Sequence, residues 1–247
     1  MLNAAWIVAV AMTLKTAPAL PTQAPAPTEW TDDRPIARLP QNLGHDIVKL
    51  PRLQNAAAVG AGLMAVGMTH GSDQSVADWA RGSGNSSYSQ IGSFLGDEWF
   101  QGGAAIGTYA LGRLTHKAAV THIGSDLIRA QMLNGVLTTG LKIAVERRRP
   151  NGGSRAFPSG HSSATFASAA VLSDHFGWKV AIPAYTAASF VSLSRVRDNQ
   201  HWLSDVVFGG AVGVIAGRTI TSTHRHSGWI VAPAVTRGGA GVYVVRR

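Results

Sequence analysis

Three short segments in the second half of the chain carry residue types that could move a phosphoryl group. The first is Lys142-Ile-Ala-Val-Glu-Arg-Arg-Arg149-Pro150 and the second is Phe157-Pro158-Ser159-Gly160-His161. The third is Ser194-Arg195-Val-Arg-Asp-Asn-Gln-His201-Trp-Leu-Ser-Asp205. A transferring phosphoryl group spreads negative charge over its equatorial oxygens, so catalysis rests mainly on positioning and on charge stabilisation. Lys142, Arg149 and Arg195 supply three spaced cations, and an Arg fork can grip two oxygens at once. Pro158-Ser159-Gly160 reads as a turn, because proline fixes φ and glycine lets the backbone approach an anion closely. A helix beginning near His161 would aim its unpaired N–H groups at the same anion.

His201 and Asp205 are four residues apart, which on a helix places them on one face, one turn from each other. An Asp that accepts the proton of one ring nitrogen leaves the other as a lone pair able to attack phosphorus. A second imidazole, His161, could protonate the departing alcohol. One histidine must then be neutral and the other charged, which predicts a bell-shaped pH dependence. The residues alone leave open which histidine attacks. Each segment also has a bland reading: His-x-x-x-Asp is common on helices, an Arg run is often a solvated face, and Pro-Ser-Gly-His can be an ordinary helix cap. Their occurrence together and in order, between Lys142 and Asp205, is what points to chemistry.

The three segments resemble the motifs of the type 2 phosphatidic acid phosphatase superfamily, which includes bacterial acid phosphatases, lipid phosphatases and vanadium haloperoxidases. That pattern, Lys-x6-Arg-Pro, Pro-Ser-Gly-His and Ser-Arg-x5-His-x3-Asp, is filled at every fixed position by Lys142, Arg149, Pro150, then Pro158, Ser159, Gly160, His161, then Ser194, Arg195, His201 and Asp205. The resemblance covers the second half of the chain; the first half is similar only as a set of helices. It implies that His201 is the nucleophile, Asp205 its orienting partner and His161 the general acid. It further implies that Lys142, Arg149, Ser159, Gly160 and Arg195 hold the phosphate, with no metal and no cofactor. Asp97, Glu98 and Asp198 are carboxylates that could sit near such a site, and Arg147 and Arg155 read equally as additional phosphate contacts or as solvated charges.

The elements that must position these residues read as an all-α helical bundle with a short C-terminal β-hairpin. Residues 1–19 resemble a secretory signal, with an apolar run from Ala4 to Leu14 that is too short to span a bilayer. Residues 20–42 read as a Pro-rich linker with order beginning near Leu43. Residues 43–226 read as the helical domain, with helices over Ala56–Met68, Asp73–Arg81, Ile91–Leu114 in one or two pieces, and His116–Val145 with a break near Gly124. Further helices are expected over Ser162–His175, Lys179–Leu193 and Trp202–Thr219. Pro150 disfavours helix at Arg149, which places Arg149 at a helix exit. Residues 227–247 read as the hairpin, with Pro233 marking an edge strand.

The chain of 247 residues has a net charge of +9, which suits anionic partners, and no nucleic-acid motif accompanies it. With 45% hydrophobic residues, 14% charged residues and a mean hydropathy of +0.08, the chain is apolar for a soluble protein and polar for one made of membrane spans. Its uncharged stretches, such as Val180–Ser194, fall short of the ~20 residues a span needs. The expectation is an exported helical bundle, periplasmic or membrane-associated through its basic surface, with a polytopic arrangement as the alternative. The chain has no cysteine, so it needs no disulfide. His45, His70, His116, His122, His175, His224 and His226 read as surface or packing residues. The expected activity is metal-independent hydrolysis of a phosphate monoester or diphosphate, on a small molecule or a lipid head group. The alternatives are a vanadate-dependent haloperoxidase using the same pocket and a non-catalytic anion-binding module.

Overall fold

The protein is described by a computed structural model covering residues 35–48, 50, 53–81, 87–222, 229–236 and 239–246. The expected signal at 1–19, most of the linker, and His224 and His226 lie outside these residues. A short 3₁₀ turn, Ile36–Arg38, leads into α1 (Leu39–Val48), followed by α2 (Leu53–His70), α3 (Asp73–Arg81) and α4 (Ser87–Gly96). The longer helices are α5 (Glu98–Leu114), α6 (Ala118–Val145), α7 (Gly160–Phe176), α8 (Trp178–Arg197) and α9 (Leu203–Thr221). Helix thus starts at Leu39 rather than at 43, with Pro40 in the first turn, where no intrahelical N–H is required. The described residues also include two antiparallel segments, β1 (Trp229–Thr236) and β2 (Gly239–Arg246), but the hairpin expected over 227–247 is not supported as part of this helical fold.

Two expected boundaries moved for physical reasons. No break interrupts α6 at Gly124; this glycine lets α5 approach, since a Cβ there would lie 2.3 Å from the Tyr109 amide nitrogen. Helix α6 stops at Val145 because Glu146 takes the left-handed conformation, with φ 45°, and its N–H donates to the Lys142 carbonyl. Arg149 therefore lies four residues past the helix end and opens a tight turn, its carbonyl accepting the Gly152 N–H at 3.0 Å. Helix α8 runs on to Arg197, so Ser194 and Arg195 occupy its last turn.

The arrangement of α7 against α9 decides where the motifs meet. Gly209, Gly213 and Gly217, four apart on α9, face Ser159, Ser163 and Ala167, four apart at and along α7. A Cβ on Gly213 would lie 2.2 Å from the Ser163 carbonyl oxygen, and one on Gly209 would lie 2.6 Å from that of Ser159. Because both series ascend together, the two helices are parallel and their N-termini lie at the same end. Around this pair, α5 and α6 complete a core that includes Leu133, Val171 and Ile220, each at most 1% exposed. Burying such side chains contributes about 1.5–3 kcal/mol apiece. A second cluster stacks Phe157, just ahead of the second motif, on Phe208 of α9 with ring centroids 4.8 Å apart.

Away from the N-terminal end of α7, buried Arg129 pairs with Asp46 and Asp126, and His175 lies 2.9 Å from Asp126. Of the histidines read as surface or packing residues, His122 is buried, and His45 and His116 are exposed. The outer faces of α2, α5, α6 and α8 expose large apolar side chains, among them Met64, Met68, Ile106, Leu114, Val136 and Trp178. Among the described residues one helix, Leu203–Thr221, is long and apolar enough to cross a membrane, and most of it is buried inside the bundle.

Because the atom facing Gly213 is backbone and cannot swing aside, Gly213→Ala is expected to separate α7 from α9 and cost about 1–3 kcal/mol or more. Thermal unfolding of the two proteins checks this; an unchanged Tm would contradict the packing.

Candidate active site

The parallel N-termini of α7 and α9, the C-terminal turn of α8 and the end of α6 surround one pocket. Its lining comes from Glu98, Lys142, Arg149, Gly160 and His161, then Arg195, Gln200 and His201. Its volume is about 240 Å³, a size that suits a phosphate group rather than a drug-sized ligand. Three cations and two imidazoles from four separate segments thus converge on one cavity.

Each cation is held by groups that leave it aimed at the cavity. Lys142 Nζ donates to the carbonyls of Pro158, at 2.8 Å, and Arg155, at 3.1 Å. Arg149 donates from Nη1 to Gln200 Oε1 at 2.7 Å and from Nε to the Ser154 carbonyl at 3.0 Å. Arg195 donates to Asp198 Oδ2 at 2.5 Å and to Ser93 Oγ. Asp198 therefore serves the site by gripping Arg195, whereas Asp97 caps α5 by accepting the Trp99 N–H at 2.8 Å. Arg155 contributes its carbonyl, and its side chain is exposed. Glu146, Arg155 and Asn199, in the loops around the pocket, all have positive φ, of 45°, 59° and 52°. Non-glycine residues hold that conformation only where the surroundings enforce it.

Ser159 and Asp205 do not sit as expected. Ser159 is fully buried, and its hydroxyl accepts from the Ser162 N–H at 3.4 Å and the Ser162 hydroxyl at 3.1 Å. It caps α7 and does not line the pocket; the glycine after it does. Asp205 was expected to accept the ring proton of His201. Instead, His201 Nδ1 donates to the Ala156 carbonyl at 2.7 Å, while Asp205 Oδ2 lies 3.8 Å away, beyond hydrogen-bond distance. A carbonyl can only accept, so Nδ1 carries the proton and Nε2 holds the lone pair.

The Asp205 carboxylate is engaged elsewhere. It accepts the Trp202 N–H at 2.9 Å, as the third residue of a helix reaches back to its cap, and Arg147 Nη1 at 2.7 Å. Its backbone carbonyl accepts the Ser159 N–H at 3.0 Å, tying the second motif to the third. Arg147 also donates to Ser204 Oγ and to Asp73 Oδ2, each at 2.7 Å, and lies over the Trp202 ring. Asp73 in turn accepts from the Ser204 N–H at 2.9 Å and the Ser204 hydroxyl at 2.6 Å. His70 Nδ1 is 3.1 Å from Asp73, so this histidine too belongs to the cluster. Nothing near Asp73 in the sequence signals this role, since an acidic residue opening a helix reads as a favourable charge at the helix dipole.

Burial and charge set the protonation states. The His161 imidazole is pushed down to about 4, by burial first and then by Arg195 and His201. Burial likewise lowers His201, against the pull of the Asp205 carboxylate. Lys142 is lowered to about 8 by burial and by Arg149. Burial alone would raise the Asp73 carboxyl, but hydrogen bonds from Ser204 and Arg147 outweigh it and hold the group below the usual range.

Comparison with known proteins gives a concordant picture. Residues 124–229 match the family model of the PAP2 superfamily. A protein of Porphyromonas gingivalis named Lipid A 1-phosphatase is 36% identical over 97 residues, which are 38% of this chain and 22% of that protein. The match therefore spans about a fifth of the relative's length. Two solved structures share the fold at 21% identity. Aquifex aeolicus LpxE has a TM-score of 0.51, with 61% of this chain and 94% of that one covered. A transmembrane PAP2 type phosphatidylglycerolphosphate phosphatase from Bacillus subtilis has a TM-score of 0.54, with 69% and 95% covered.

Arg147→Ala would leave two buried carboxylates, Asp73 and Asp205, without their shared cation. Such a loss costs about 3–5 kcal/mol, and Arg147→Lys should restore part of it. Denaturant unfolding of both variants measures the effect; wild-type stability in Arg147→Ala would contradict the bracing role.

Proposed function

We propose that the chain, whose residues 124–229 match the PAP2 superfamily model, is a phosphatase of that superfamily. It cleaves phosphate monoesters or diphosphates by way of a phosphohistidine on His201. The observation that carries this reading is the convergence of Lys142, Arg149, Arg195, His161 and His201 on one small cavity. The reading takes the substrate to be lipid-linked. Its support is the pair of relatives named for lipid A and phosphatidylglycerolphosphate, together with the apolar side chains exposed on four helices. Those exposed faces also favour a membrane-associated protein.

The steps follow from the geometry. Lys142, Arg149 and Arg195, with the N–H groups opening α7, hold the phosphate oxygens and stabilise the charge of the transition state. His201 Nε2, its lone pair fixed by the Nδ1–H bond to Ala156, attacks phosphorus and forms the N–P bond. The P–O bond to the alcohol breaks, and His161 gives its proton to the departing oxygen. Water then attacks the phosphohistidine, His161 takes back a proton, and phosphate leaves with His201 restored. Because the cations supply the charge stabilisation, turnover is expected to survive chelation.

Phosphate release from phenyl phosphate, phosphatidic acid and a prenyl diphosphate in excess EDTA tests this. Release that disappears in His201→Ala is the expected result; no release from any substrate by the folded protein would overturn the reading.

The pH dependence carries a further expectation. His161 must be protonated to act as an acid, and in the free protein its protonated fraction falls as pH rises above about 4. A bound phosphate dianion offsets Arg195 and Lys142 and raises that value. The falling limb of kcat should therefore lie at higher pH than that of kcat/KM, and both should vanish in His161→Asn. Coincident limbs in the wild type would contradict this assignment.

A further inference from the structure

The pocket contains one side chain that an anion does not call for. Among the described residues that line it, Glu98 is the one carboxylate, set against Lys142, Arg149 and Arg195. Its place in the chain has a local reason, since an acidic residue in the first turn of α5 meets the positive end of that helix. That reason does not fix where the side chain points. Glu98 Oε1 reaches across to α7, where a Cβ on Gly160 would lie 2.9 Å from it and 3.9 Å from Lys142 Cε. The carboxylate thus stands beside the turn that carries His161, and its charge acts on Lys142.

Burial shows how deep each lining residue lies. Gly160, Arg195 and His201 are buried, and Lys142, Arg149, His161 and Gln200 are half-buried. Glu98 is the exposed member of the lining. His201 therefore belongs to the floor of the pocket and Glu98 to its mouth. Phosphoryl transfer keeps the attacking and leaving atoms roughly in line. With Nε2 of His201 attacking from the floor, the leaving oxygen points to the mouth, where His161 and Glu98 stand. Whatever that oxygen carries then comes out past the Glu98 carboxylate.

A pocket of cations alone favours the more anionic ligand, and so a diphosphate over a monoester. Glu98 opposes that preference at one place, just beyond the phosphate that is transferred. Resting on the phosphatase reading, we propose that Glu98 selects the substrate by the charge of its leaving group. Monoesters of uncharged alcohols are accepted, and diphosphates are turned away because their second phosphate would lie against the Glu98 carboxylate. The motif cations recognise the transferred phosphate, and a residue outside the motifs decides what is attached to it.

Binding of phosphonates, which cannot be turned over, separates this idea from the reading it rests on. Isothermal titration of the full chain in excess EDTA would compare methylphosphonate with methylenediphosphonate, which adds a second anionic group at the mouth. Glu98→Gln keeps the size of the side chain and removes its charge. The ratio of the two dissociation constants is expected to shift about tenfold in favour of the diphosphonate, the effect of removing one like-charge contact near a protein surface. A Glu98 that acted only through Lys142 would change both affinities by the same factor. That result, or no change in either affinity, would overturn the proposal. Turnover gives a second readout: kcat/KM for butyl diphosphate relative to butyl phosphate should rise by a similar factor in Glu98→Gln, and the intrinsic reactivities of the two esters cancel in that comparison. Phosphate release from phenyl phosphate by the same preparations reports on the phosphatase reading separately.

Discussion

Backbone-to-backbone contact between α7 and α9 is the constraint on which the rest of the structure depends. Three glycines a helical turn apart press onto Ser159, Ser163 and Ala167, and no side chain intervenes. That contact makes the helices parallel, and parallel packing brings two N-termini to one place. His161 then stands on the first turn of α7, and His201 stands just ahead of α9. An antiparallel pair would have set the histidines at opposite ends of the bundle. The pocket is thus a consequence of helix packing before it is a consequence of charge.

Charge then fixes the loops that packing brings together. Arg147 joins Asp73 of α3 to Asp205 of α9 through its side chain, and its carbonyl accepts the Ala156 N–H at 2.8 Å. The Ala156 carbonyl in turn receives His201 Nδ1. One residue therefore sets both the helix that follows His201 and the peptide that orients its ring. The arrangement separates two kinds of cation. Arg147 is spent on buried carboxylates behind the site, where breaking a pair is costly. Lys142, Arg149 and Arg195 face the cavity, where Lys142 and Arg149 donate to neutral acceptors and Glu98 supplies a carboxylate that acts on Lys142.

Much of this was legible in the sequence where the determinant was local. Glycine at 177 and the opening Asp73 marked helix ends correctly, and the three motifs named six of the residues that meet in the pocket. What was not legible depended on distant partners. Gly124 reads locally as a helix break, yet Tyr109 of α5 needs its missing side chain. Ser159 reads as a phosphate ligand by its place in the motif, yet its hydroxyl caps α7. His201 and Asp205 have the spacing of a hydrogen-bonded pair. The ring turns instead to a carbonyl 45 residues away, because Arg147 and the Trp202 N–H already occupy the carboxylate. Arg147 lies in a run of three arginines from which the motif singles out only Arg149. That the first of them braces two carboxylates is visible only in the fold.

In the proposed mechanism His201, through Nε2, becomes the phosphorylated group. Rapid quenching of turnover in alkaline denaturant, which preserves phosphohistidine, followed by peptide mass spectrometry, reads that directly. A phosphoryl group on the peptide containing His201, absent from the quenched His201→Ala protein and from protein mixed with phosphonate, is the predicted result. Phosphate on His161, or active turnover with no phosphopeptide at any quench time, would contradict the account.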